Sequence, residues 1–146
     1  MATIRRFEDL TAWQKARWFS KAVYAVTRNR TFLDDPDLKR QIRRASGSVM
    51  DNISEGFGRG GRVEFVQFLG IAKGSLDESK SQLYRAHDND YIDQTTFDDL
   101  YAQADEAGRV IDGLMSYLKE SDVKGRKFQR DSASQPEELK TVNRKL

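Results

Sequence analysis

Between Phe97 and Leu118 the apolar side chains fall at Phe97, Leu100, Ala104, Ala107, Ile111, Leu114 and Leu118, in unbroken steps of three and four. A stripe spaced this way lies on one side of an α-helix and forms a seam for nearly parallel or antiparallel helix packing. Three earlier segments repeat the pattern. Leu10, Trp13, Ala16, Ser20, Val23 and Thr27 mark a first helix, with Asp9 as N-cap and an end near Arg28. A second opens at "DDPDL": Asp35 can cap, Pro36 suits the first helical position, and Asp37 complements the helix dipole. Its stripe is Leu38, Ile42, Ala45, Val49 and Asn52/Ile53, and the glycines from 56 to 61 are expected to end it. The third runs from about Arg62 to Asp88 through Phe65, Phe68/Leu69, Ala72, Leu76, Ser79, Leu83 and Ala86. The fourth begins at "TTFDD", where Thr95 and Asp98 resemble a capping box.

Four amphipathic helices with short connections predict an all-α, up-down-up-down antiparallel four-helix bundle over residues 1–120. Its expected core includes Trp13, Ile42, Val49, Phe65, Leu76, Leu83, Leu100, Ile111 and Leu118. From Ser121 the periodicity stops. Residues 121–146 are polar and basic, and are expected to form a disordered tail or a frayed helix.

A chain of 146 residues can bury a core without staples. It has no cysteine, which excludes disulfides, zinc–thiolate sites and thiol nucleophiles. No apolar run follows the arginines of "MATIRRFEDL", and no window has the apolar length of a membrane span. The expectation is a cytoplasmic protein without a membrane partner. The Asn52-Ile53-Ser54 glycosylation pattern then reads as chance.

Gly56, Gly58 and Gly61 spell G-x-G-x-x-G, the pattern of a dinucleotide-binding loop. That loop needs a buried strand before it, and "RQIRRASGSVMDNISE" has helical periodicity instead. The reading is therefore a helix–helix turn, in which Gly56 and Gly58 end one helix and Gly60 and Gly61 lead into the next. No cofactor is expected. Nor is a metal: His87 is the one histidine and no paired E-x-x-H occurs. No serine sits in a nucleophile elbow, so the sequence gives no support for an enzyme. Asn52 and Glu55 are read as structural, Asn52 fixing helix register and Glu55 pairing with an arginine or the Trp13 ring N–H.

Charge is unevenly placed. Residues 1–62 hold 13 Lys/Arg against 7 Asp/Glu, and residues 63–120 hold 5 against 12. The second helix contributes Lys39, Arg40, Arg43 and Arg44, which are neighbours in pairs on a helix surface. With Arg59 and Arg62 they are candidates for a basic stripe that tracks phosphates, helped by Lys124, Arg126, Lys127 and Arg130 of the tail. Spacing alone ranks a solvated helix face, or salt bridges to a neighbouring subunit, above nucleic acid.

Three stretches in order, "FEDLTAWQKA", "QIRRASGSVMDNISEGFGR" and "EFVQFLGIAKGSLDESKSQL", resemble the 23S rRNA intervening-sequence protein family, also called the four-helix bundle protein family. The resemblance spans about residues 7 to 119 and takes in Trp13, Arg43, Arg44, Asn52, Glu55 and Gly56 as motif positions. Met50, Asp51, Ser54 and the Gly60-Gly61 pair depart from the pattern. The resemblance implies antiparallel bundles that assemble into a homopentamer and have no enzymatic activity. Some members are encoded within insertions in ribosomal RNA genes. A similar accessory protein of diversity-generating retroelements binds nucleic acid and a reverse transcriptase. The expected function is a non-enzymatic oligomeric bundle that binds nucleic acid, RNA before DNA, through basic residues. The alternative is a homo-oligomeric scaffold for protein interactions with no nucleic-acid role.

Overall fold

A computed structural model describes residues 4–128, with side chains through Ser121. It contains four helices: α1 Thr11–Thr27, α2 Pro36–Gly58, α3 Arg62–Asp88 and α4 Gln94–Phe128. Cross-helix pairs fix their directions. Gln41 meets Arg85 and Ser48 meets Ser75, so α2 and α3 are antiparallel. Lys73–Asp112 and Lys80–Asp105 show the same for α3 and α4. Each helix packs mainly on its two ring neighbours, α1 on α2, α2 on α3, α3 on α4 and α4 on α1. The result is the up-down-up-down bundle that the stripes predict.

The stripes are the core. Ile42, Val49, Phe65, Leu76, Leu83, Leu100, Ile111 and Leu118 are all buried. Trp13 differs: it is half-buried at the bundle's edge, with its ring edge-on to Phe7 at 5.1 Å. No described helix is long and apolar enough to cross a membrane.

The caps are partly those expected. Asp35 accepts from the Leu38 N–H at 3.0 Å, with Pro36 opening α2. Asp9 does not cap α1, because Phe7–Asp9 closes its own 3-10 turn and Leu10 becomes the N-cap. The Thr95/Asp98 box is also replaced. Asp93, one residue before α4, accepts from the Thr96 N–H at 2.8 Å, and Asp98 accepts from the Gln94 side chain. Its bond to the Thr96 N–H holds the Asp93 carboxyl below the usual carboxylate range. At the far end, α4 continues past Glu120 to Phe128, so the expected polar tail begins inside a helix.

Gly56 has a different role from the one its sequence suggests. It lies within α2 and is buried, two residues before the helix ends. A Cβ there would sit 2.5 Å from the Phe68 Cβ and 3.2 Å from the Phe65 ring. Gly56 therefore lets α2 and α3 approach closely. The turn itself is made by Gly60, at φ +81, and Gly61 is the extended N-cap of α3. A helix precedes this turn, so the strand context of a dinucleotide loop is missing.

Candidate nucleic-acid interface

Burial of Leu38, Ile42, Ala45, Val49 and Ile53 orients the rest of α2. At 3.6 residues per turn, Lys39 and Arg43 fall on the flank toward α1, while Arg40 and Arg44 face outward. The cations of α2 are thus divided between two neighbouring surfaces.

Arg43 is committed to the bundle. Its Nε donates to Thr27 Oγ1 at 2.8 Å, an Nη reaches the Tyr24 carbonyl at 3.5 Å, and its guanidinium lies 4.6 Å from the Tyr24 ring centre. Tyr24 and Thr27 belong to the last turn of α1, whose carbonyls have no helical partner. A cation there also suits the negative end of the helix dipole. Arg43 therefore caps α1 from the neighbouring helix. Arg40 pairs with Asp37 across an exposed surface, an ion pair weak enough to be exchanged for another anion. Among the described residues the Lys39 and Arg44 side chains make no ion pair or hydrogen bond, and Arg44 is exposed.

Arg59 and Arg62 do not extend this group. They lie at the opposite end of α2, about 22 Å along the helix from Arg44. Arg59 bonds Glu55 at 3.1 Å and rests over the Phe68 ring, and Arg62 opens α3 beside Lys119 along a cleft of about 210 Å³. The expected single stripe is two separate groups because α2 is long and its ends are far apart. Lys124, Arg126 and Lys127 lie in the last turns of α4, where side chains are not described, and Arg130 lies outside the described residues.

What completes the first group is α1. Arg17, Lys21, Tyr24 and Arg28 recur in steps of four, three and four, so they share one side of that helix, and all are exposed. The stacking of Arg43 on Tyr24 brings this side against α2. Lys21, Arg28, Lys39 and Arg43 on the flank shared by α1 and α2, with Arg40 and Arg44 on the adjoining outward surface of α2, thus make up a cationic α1–α2 side, with Asp37 as an acid among them. The α1 contribution was readable from its spacing, but the denser cluster in α2 masks it.

The opposite face has the opposite sign. Lys73 Nζ bonds Asp112 at 3.0 Å and Lys80 Nζ bonds Asp105 at 2.6 Å, so the lysines of α3 are neutralised by α4. Asp77 of α3 and Asp98 and Asp99 of α4 are exposed. Hydrogen bonding and attraction from Lys80 hold the Asp105 carboxyl low. Burial works to lower the Lys80 pKa, but the bond and charge of Asp105 outweigh it, so the ammonium is held above its usual value.

Asn52 and Glu55 belong to neither charged group. The Asn52 amide donates to the Ser48 carbonyl at 2.8 Å and to Ser48 Oγ at 2.9 Å, and Ser48 Oγ meets Ser75 Oγ at 3.0 Å. Asn52 therefore supports a polar seam between α2 and α3 rather than the apolar stripe. Glu55 pairs with Arg59, not with Trp13. His87 packs half-buried against Phe97 at 5.3 Å. Among the described residues no three His, Cys, Asp or Glu side chains gather as metal ligands.

Comparison with known proteins adds two findings. A family model described as 23S rRNA-intervening sequence protein matches residues 8–113. A crystal structure of a protein of unknown function from Bacteroides thetaiotaomicron, assigned to the S23 ribosomal protein family, superposes with a TM-score of 0.66 at 19% identity. The match covers 72% of this chain and 98% of that one, and at this identity it speaks to fold alone. No curated protein sequence matches the chain.

Proposed function

This chain belongs to the 23S rRNA-intervening sequence protein family, and from that premise we propose that it is a non-enzymatic, self-associating bundle that binds the nucleic-acid backbone through its α1–α2 face. One observation supports this reading above the rest: Lys21, Arg28, Lys39, Arg40, Arg43 and Arg44 gather on the adjoining surfaces of α1 and α2, while acids outnumber bases across α3 and α4. A surface of that kind attracts phosphates by releasing condensed counterions. Nothing on it resembles a base-reading motif, so sequence preference is expected to be small. RNA is the favoured ligand by family resemblance. Copies of the face in a homo-oligomer would add their weak contacts.

A second reading has its own support. The cationic α1–α2 face and the acidic α3–α4 face are complementary, and such a head-to-tail contact closes into a ring when its rotation permits. Resemblance, not charge, supplies five as the number of subunits. In this reading the cationic face is an assembly surface and the protein is a scaffold.

One variant separates the two. Lys21→Glu with Arg44→Glu reverses two exposed cations and leaves the Arg43 cap and the Arg40–Asp37 pair in place. Nucleic-acid binding predicts weaker anisotropy of labelled RNA at low salt with an unchanged mass by light scattering. Loss of the oligomer instead favours the scaffold, and no binding of RNA or DNA by the unsubstituted protein removes the nucleic-acid reading.

A further inference from the structure

We infer that Trp18 is a stacking platform for an unpaired base, so that the nucleic acid taken by the α1–α2 face is single-stranded. The inference rests on the phosphate-binding reading above. Trp18 is 55% exposed. A single exposed apolar residue asks for no explanation in general, and Leu33, Val63 and Ile71 are aliphatic residues of that kind. Trp18 differs in its surroundings. The Lys15 ammonium lies 5.0 Å from its ring centre and is itself held at 2.6 Å by Glu106 of α4, which fixes one flank of the indole. Lys21 follows one turn later. Tyr24, the other exposed ring of α1, carries the Arg43 guanidinium. Rings and cations therefore alternate in steps of three along a strip that winds across the exposed surface of α1, from the α4 flank at Lys15 through Trp18 and Lys21 to the α2 flank at Tyr24.

That alternation has a chemical meaning. A duplex presents phosphates at its surface and keeps its base faces stacked inside, so cations alone would serve it. A single strand offers open base faces between its phosphates. Surfaces that hold single strands without reading sequence combine cations along the backbone with rings on which bases stack. An indole is the largest such ring, and its negative face also accepts a cation. Trp18 stands where a base would lie if its phosphates followed Lys21 and Arg28.

The full-length protein tests this with two fluorescein-labelled probes, an oligouridylate of about 20 nucleotides and an RNA duplex of about 20 base pairs. Trp18→Ala is expected to weaken binding of the single strand about 5- to 150-fold and to leave duplex binding unchanged. Trp18→Phe keeps a ring and is expected to retain most of the affinity. With Trp13→Phe the one remaining indole is Trp18, and its emission is expected to be quenched by the oligouridylate and not by the duplex. Equal losses on both probes, or no loss on either, overturn stacking while leaving phosphate binding intact. A changed mass of Trp18→Ala in light scattering assigns the ring to an interface between copies and overturns it too. No binding of either probe by the unsubstituted protein removes the phosphate-binding reading itself, and this inference with it.

Discussion

At the scale of single residues, Gly56 and Arg43 show how a side chain's partner decides its meaning. Gly56 admits Phe68 so closely that a methyl group has no room. Gly56→Ala is expected to destabilise the protein by about 1–3 kcal/mol through overpacking, measured by urea unfolding. Gly58→Ala, with open space at its Cβ, is expected to be tolerated. Neither outcome was legible in "NISEGFGRGG", since a run of glycines signals a turn and the decisive neighbour comes from another helix. Arg43 was equally illegible. Its spacing matches the other cations of α2, and only the end of α1 beside it makes it a cap. Asp105 offers a test in pH. Its folded carboxyl is held low by Lys80, so its contribution is full above the ordinary carboxylate range and is lost as pH falls through its folded value. Asp105→Asn is therefore expected to lower stability at neutral pH and to flatten the acid limb of the stability profile.

At the scale of the element, the apolar stripes were almost wholly legible. A three–four repeat has one structural solution over this length, and burial of Leu76 and Ile111 is complete. Leu76→Ala and Ile111→Ala are each expected to cost about 2–5 kcal/mol in denaturant unfolding. Less than half a kcal/mol at both positions would mean that the stripes do not face a core. Helix ends were less legible. Asp35 caps as its sequence suggests, but Asp9 loses its role to Leu10, one residue later, and Thr95 to Asp93, two residues earlier. Gly47 and Gly74 are helix-interior glycines whose Cβ would meet nothing. Gly47→Ala and Gly74→Ala are each expected to stabilise the isolated bundle by about 1 kcal/mol, the helix-propensity difference. If either substitution lowers stability, the space at that glycine is not open as described.

At the scale of the whole molecule, charge is the organising feature. Counting along the chain already separates a basic first part from an acidic second part. Counting does not place them in space. The antiparallel order puts α1 beside α2 and α3 beside α4, so a difference along the sequence becomes a difference between two faces. The length of α2 splits Arg59 and Arg62 from Lys39, Arg40 and Arg44, and the placement of α1 beside α2 recruits Lys21 and Arg28 in their place. The proposed function rests on this polarity more than on any one side chain. Its most direct test is the salt dependence of RNA binding, compared between the unsubstituted protein and Lys21→Glu with Arg44→Glu. The account predicts a steep linear fall of log affinity with log salt, and a slope shallower in the variant by about 0.7 for each single-strand phosphate that the two substitutions leave unneutralised. Binding with the same slope in both proteins, or none at low salt, would contradict it.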